Sequence, residues 1–157
     1  MTKTRVNAHP AFEVVRPAVK WNPGRPHPNL DKVAKKVQSR WNQPARPVTV
    51  YAASRLTANL WGSSAGRLPN RTHWDHDLLL ARVYAHYRSA HPREAKRWVG
   101  EDCLPKAGYR IKDPDAFLVD DDGQLTRVIE SAGRYSVKQL ESFHEHCADN
   151  QLAYELW

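Results

Sequence analysis

Two apolar runs, Ala116-Phe117-Leu118-Val119 and Leu125 to Ile129, flank Asp121-Asp122-Gly123. Asp-Gly between strand-like runs signals a tight reversal, because glycine accepts the positive φ such a turn needs. The segment therefore reads as an antiparallel hairpin. Ser136 then caps a helix in which Val137, Leu140, Phe143, His144 and Cys147 share one face, and Asn150 ends it. Leu152 to Trp157 alternates and reads as a final strand. Tyr109 to Lys112 reads as a further short strand. The order helix, two or three strands, helix, strand predicts an α/β unit with a small mixed sheet flanked by helices.

The rest of the chain is written differently. Seven of the eleven prolines fall in the first fifty residues. Proline fixes φ and lacks a donor, so Pro17 to Pro28 cannot form a regular helix. Residues 1–28 read as an extended arm, ordered by a partner or by docking Phe12 and Trp21 on the body. Asn29 caps a helix with Leu30, Val33, Ala34, Val37 and Trp41 on one side and Lys32, Lys35, Lys36 and Arg40 over much of the remainder. Pro44 follows. Residues 47–53 form a β-branched, aromatic strand. Residues 54–62 read as a short helix ending at Gly62, and residues 63–71 as a loop. A longer helix spans about 72–90, with Thr72 as its cap, and Pro92 opens a short one up to Trp98. The chain thus divides at 1–28, 29–71 and 72–157.

Charge follows the same division. Residues 1–50 carry ten Lys/Arg against two Asp/Glu, a net of +8, while the remainder carries fourteen against fifteen. A basic segment beside a neutral body is the footprint of a polyanion binder, since each phosphate contact releases condensed counterions. Lys32, Lys35, Lys36, Arg40 and Arg25 are the candidate phosphate contacts, and Trp21 the candidate base-stacking residue. The partner expected is DNA, with RNA as the alternative. No apolar run approaches the length a membrane span needs, and the first residues contain no apolar core of a secretory signal, so a cytoplasmic protein is expected. Two cysteines, Cys103 and Cys147, do not make a disulfide framework.

Pro114-Asp115 opens the hairpin and Glu130 closes it, with fourteen residues between Asp115 and Glu130. A hairpin brings both carboxylates to one end of the sheet. Converging carboxylates suit a hard cation, Mg²⁺ or Mn²⁺, which can activate water against a phosphodiester. Alone, Pro-Asp is a common turn dipeptide and Glu130 an ordinary strand end.

These residues resemble the PD-(D/E)XK nuclease superfamily over about Trp98 to Trp157. The resemblance implies a restriction-endonuclease-like fold, with Asp115 and Glu130 as metal ligands. Gln139-Leu-Glu-Ser-Phe143 resembles the Q-x-x-x-Y element of the family's exonuclease branch, which implies Gln139 near the site. The family's lysine would stand two residues after Glu130, where this chain has Ala132. Arg134 or Lys138 is the candidate replacement, arginine serving better to hold a phosphate than to shuttle protons.

A closer likeness covers more of the chain. The run from His73 to Leu80, Trp98-Val-Gly-Glu101, Pro114-Asp-Ala116 and Val128-Ile-Glu130 resemble the replication-relaxation family of plasmids and mobile elements. There a winged-helix segment precedes a nuclease-like domain. Val50-Tyr-Ala-Ala-Ser-Arg-Leu-Thr57 resembles the end of such a wing, with 29–41 a remnant of its helical part. Two functions follow as expectations: a metal-dependent nuclease, or a degenerate nuclease fold that binds DNA as an accessory of a mobile-element or defence assembly. A third is an interaction protein with acidic partners.

Histidine offers less. His73 and His76 are three apart, and His144, His146 and Cys147 cluster, but zinc needs four converging ligands. His144 and Cys147 lie on the apolar face, where core packing is expected. His73 or His76 can line the cleft if their helix flanks the sheet, with Asp75, Asp77 and Glu101 as further acids. Acids in a first helical turn are also ordinary, being favoured by the dipole.

Overall fold

A computed structural model describes residues 1–60, 73–103 and 114–157. The strand expected at 109–112, the loop at 63–71, the Thr72 cap and the Gly62 helix end lie outside the described residues.

The hairpin forms as its turn chemistry dictates. Strands β5 (Ala116–Val119) and β6 (Leu125–Glu130) run antiparallel, with Ala116 opposite Ile129 and Leu118 opposite Arg127. Gly123 takes φ +76° in the reversal. Before them, β4 (Trp98–Gly100) pairs antiparallel with β5. After them, helix α5 (Val137–Asp149) crosses over to β7 (Ala153–Leu156), which lies parallel to β6. Parallel neighbours need such a crossover, and α5 supplies it. Ser136 caps α5 by accepting from the Gln139 amide, while Gln139 reaches back to the Ser136 amide, a reciprocal capping box.

The fifth strand comes from the other end of the chain. β2 (Val19–Trp21) pairs antiparallel with β7, giving the order β2-β7-β6-β5-β4. Of the two ways expected to order the arm, docking on the body is the one seen: Trp21 joins one core cluster and Phe12 packs against the other. Strand pairing satisfies the arm's backbone, and Trp21, 6% exposed, fills the core beside Tyr154.

Helices cover both faces. On one, α1 (Leu30–Ser39) presents Val33, Ala34 and Val37 to Leu140 and Cys147 of α5 and to Val128 and Tyr154 of the sheet. Asn29 caps α1 as expected, accepting from the Lys32 amide at 2.9 Å. On the other face, α3 (Trp74–Ala90) packs Leu79, Val83 and Tyr87 against Ala116, Leu118, Ile129 and Trp157. A short α4 (Pro92–Ala95) follows α3.

The remaining strands form a separate two-stranded ribbon. β1 (Thr2–Ala8) pairs antiparallel with β3 (Arg46–Ala52), and helix α2 (Arg55–Leu60) follows. The expected winged-helix remnant at 29–71 is not a unit of its own. Its helix, α1, belongs to the core of the five-stranded sheet, and its strand pairs with the start of the chain. Among the described residues no helix is long and apolar enough to cross a membrane.

Candidate functional site

The ladder between β5 and β6 continues one step past Ala116 and Ile129, which sets Asp115 opposite Glu130. The Asp115 amide donates to Glu130 Oε2 at 3.4 Å. The two residues thus stand at the same end of the hairpin, in contact through the Asp115 backbone.

Neither carboxylate faces open water. Asp115 Oδ2 accepts from the Ser131 amide at 2.5 Å, and Oδ1 lies 2.8 Å from His76 Nε2. His76 stands in the first turn of α3, and its other ring nitrogen lies 3.2 Å from Asp77 Oδ1. Hydrogen bonds to Asp115 and then Asp77 raise the imidazole pKa to about 10, against the opposing effect of burial. His76 is therefore an imidazolium at neutral pH, held between two carboxylates. Glu130 is 2% exposed. Its Oε1 accepts from the Tyr135 hydroxyl, and Cys147 lies close enough to feel its charge.

A Mg²⁺ or Mn²⁺ ion asks for about six oxygen ligands in near-octahedral order, several of them water. Here both Asp115 oxygens are engaged and Glu130 is sealed under α5 and Tyr135. Among the described residues no group of three or more His, Cys, Asp or Glu can hold a metal ion. Among the described residues, both Asp115 oxygens thus have protein partners and Glu130 is buried.

The residues proposed to assist the carboxylates divide. Gln139 lines a cavity with Pro114, Tyr135 and Cys147, and its side chain also caps α5. Arg134 is exposed, its guanidinium 5.2 Å from the centre of the Trp41 ring. Lys138 is exposed in the first turn of α5. Ala132, where the family has lysine, is fully buried, its amide donating to the Trp157 carbonyl at 3.0 Å. Among the described residues, His76 is a cation that reaches Asp115. Its motif was legible, but its preference over His73 was not, since only the packing angle of α3 decides which turn faces Asp115. His73 is exposed.

The basic candidates also divide. Lys32, Lys35 and Arg25 are exposed. Lys36 Nζ donates to the carbonyls of Pro17 and Ala18, and Arg40 Nη2 to that of Arg16, so these two pin the arm to α1. Trp21 stacks on Tyr154 at 5.5 Å and meets His144 edge-on at 4.9 Å, which corrects its assignment as a base-stacking residue. Asp75 stands in the first turn of α3, as expected, and also ties the arm to that helix: its Oδ1 accepts from the His9 amide at 2.5 Å.

A second buried carboxylate escaped the sequence reading. Glu155 on β7, 2% exposed, receives Lys20 Nζ at 2.8 Å, Tyr87 hydroxyl at 2.9 Å, Arg127 Nη1 at 3.1 Å and Trp157 Nε1 at 3.1 Å. Burial pushes its pKa up, but the Lys20 contact, Tyr87 and Arg127 outweigh that and the net shift is downward. Burial, and then the charge of Glu130, push the Cys147 thiol up to about 12, which removes it as a nucleophile. Cys103 is exposed. No protein-family model, curated protein or solved structure matches this chain.

Proposed function

We propose that the chain is a DNA-binding module on a nuclease-like scaffold whose carboxylate pair no longer cuts. The observation that carries this reading is the placement of His76 on Asp115, with Glu130 closed over by Tyr135. A protein-supplied cation pairs with Asp115, the carboxylate that the nuclease reading assigns to a metal ion. Ala132 in the lysine position removes a second requirement of that chemistry. The scaffold part of the proposal is supported by the order α3-β4-β5-β6-α5-β7, with three antiparallel strands followed by a parallel one. That is the order the resemblance to PD-(D/E)XK nucleases leads one to expect, and within it the replication-relaxation family is the proposed relative. The DNA part is supported by the net +8 of residues 1–50 and by the exposure of Lys3, Arg5, Arg25, Lys32 and Lys35. An accessory role in a mobile-element or defence assembly, alongside a partner subunit, is consistent with binding without cleavage.

The retained convergence of Asp115 and Glu130 favours one second reading, a nuclease whose site opens to admit Mg²⁺ or Mn²⁺. Cleavage of plasmid and single-stranded DNA with either ion separates the two. Wild type, Asp115→Ala and Glu130→Ala are compared, with binding followed by fluorescence anisotropy. The expected result is no cutting and a DNA affinity that falls steeply with salt. Metal-dependent cutting lost in both variants would establish the nuclease in its place.

A further inference from the structure

We infer that the β1–β3 ribbon is the surface that enters the DNA, docking in the major groove; this rests on the DNA-binding reading above. The ribbon is two-faced. Val6 and Ala8 point inward and are buried. The alternate positions point outward, and the register sets Lys3 opposite Tyr51, Arg5 opposite Thr49, and Asn7 opposite Pro47. All six of these are exposed. Tyr51 is 59% exposed, a large aromatic ring that neither core cluster claims.

The chemistry of that face is uniform. Neither strand contains an acidic residue. Its polar groups are donors or mixed donors: ammonium, guanidinium, amide and hydroxyl. The ribbon's third cation, Arg46, is spent on Glu13 at the end where Ala8 meets Arg46. Lys3 and Arg5 have no such acid among the partners described. This face therefore complements an anion, and charge complementarity selects nucleic acid over a second copy of a chain that is itself +7.

Shape selects the duplex. Two strands stand about 4.8 Å apart, and with side chains such a ribbon fits a groove about 12 Å wide, the major groove of B-form DNA. The major groove of A-form RNA is too deep and narrow to admit it. In the groove, Lys3 and Arg5 would lie along one strand of the ribbon within reach of phosphates or guanine edges. Asn7 and Thr49 would offer hydrogen bonds to bases, and the Tyr51 ring an apolar contact.

The test uses the full chain and a fluorescein-labelled 20-base-pair DNA duplex, titrated between 50 and 200 mM salt. Lys3→Ala/Arg5→Ala, Tyr51→Ala and Lys32→Ala/Lys35→Ala are compared with wild type, each checked for an unchanged melting curve. Loss of two phosphate contacts lowers the salt slope by about 1.8, so the affinity drop over that range shrinks by about tenfold in the Lys3/Arg5 variant. Tyr51→Ala weakens binding with the salt slope unchanged. Ribbon variants that bind as wild type while the α1 variant loses affinity would overturn the ribbon and leave DNA binding standing. Equal or tighter binding to an RNA duplex would overturn the groove. A wild type that binds no duplex at all would overturn the underlying DNA-binding reading itself.

Discussion

Glu130 and Glu155 lie on neighbouring parallel strands, are each 2% exposed, and have opposite situations. Glu155 faces α3 and draws on Lys20, Arg127, Tyr87 and Trp157, four groups from β2, β6, α3 and the end of the chain. It is the joint at which the N-terminal strand, the sheet and a helix are fastened. Glu130 faces α5 and takes the Tyr135 hydroxyl, while His76 meets its neighbour Asp115. The comparison teaches that a buried carboxylate is not a functional signal by itself. What marks Glu155 as a joint is that its partners are cations and donors drawn from several elements.

Removing each acid's partners tests that distinction. Glu155→Ala is the largest effect expected, a loss of about 3 kcal/mol in urea unfolding, because Arg127 is left partly buried without its carboxylate. A loss below about 1 kcal/mol would mean the joint carries no weight. The Glu155 pKa is lowered in the fold, so its contribution is present above the ordinary glutamate pKa and is lost as pH falls through the folded value.

His76→Ala costs less, about 1–2 kcal/mol at neutral pH, since the ring keeps some contact with water. Its pH dependence runs the other way. The His76 pKa is raised to about 10, so its stabilisation is full below about 6.5 and is lost as pH rises towards 10. The variant's stability is expected to be flat over that alkaline range where wild type declines. A wild-type curve with no alkaline decline would show that the imidazolium pair does not form.

Gln139→Ala is expected to cost about 1 kcal/mol, the value of a lost cap interaction, with DNA binding unchanged. A loss of binding or cutting without loss of stability would return Gln139 to the site. The smallest effect lies at His144, whose Nε2 is 2.6 Å from His27 Nδ1 and whose Nδ1 is 2.9 Å from the Tyr154 hydroxyl. Burial and then the neighbouring His27 lower its pKa, while Glu145 opposes this. Stability is thus present above about 6.5 and declines as pH falls through the folded value. His27→Ala is expected to reduce that acid decline by about 0.5 kcal/mol, and an unchanged acid limb would break the assignment.

What the sequence disclosed was local. Asp-Gly between β-branched runs specified the hairpin, Ser136 and Asn29 specified their caps, and the face Leu140-His144-Cys147 specified what α5 buries. What it hid was distant pairing. Val19-Lys20-Trp21, three residues amid prolines, have no strand signature of their own; β7 makes them a strand. Thr2 to Ala8 alternates only at Val6 and Ala8, too briefly to stand out. Within the site, the meeting of Asp115 and Glu130 followed from the turn alone, whereas the choice of His76 followed from how α3 lies on the sheet. The sequence also left the capping role of Gln139 unread, because one side chain can serve a motif or a helix cap, and the reciprocal bonds to Ser136 show the cap.

The placement of β2 beside β7 has a kinetic consequence. During synthesis, Trp21 leaves the ribosome long before Tyr154 and Leu156, its ladder and core partners, exist. Closing so large a loop is entropically slow, and contacts of this range delay folding. Until the last strand is made, the first must wait as an exposed, basic, tryptophan-bearing segment. In that interval, binding to a polyanion or a chaperone competes with folding, and the finished sheet withdraws the tryptophan for good.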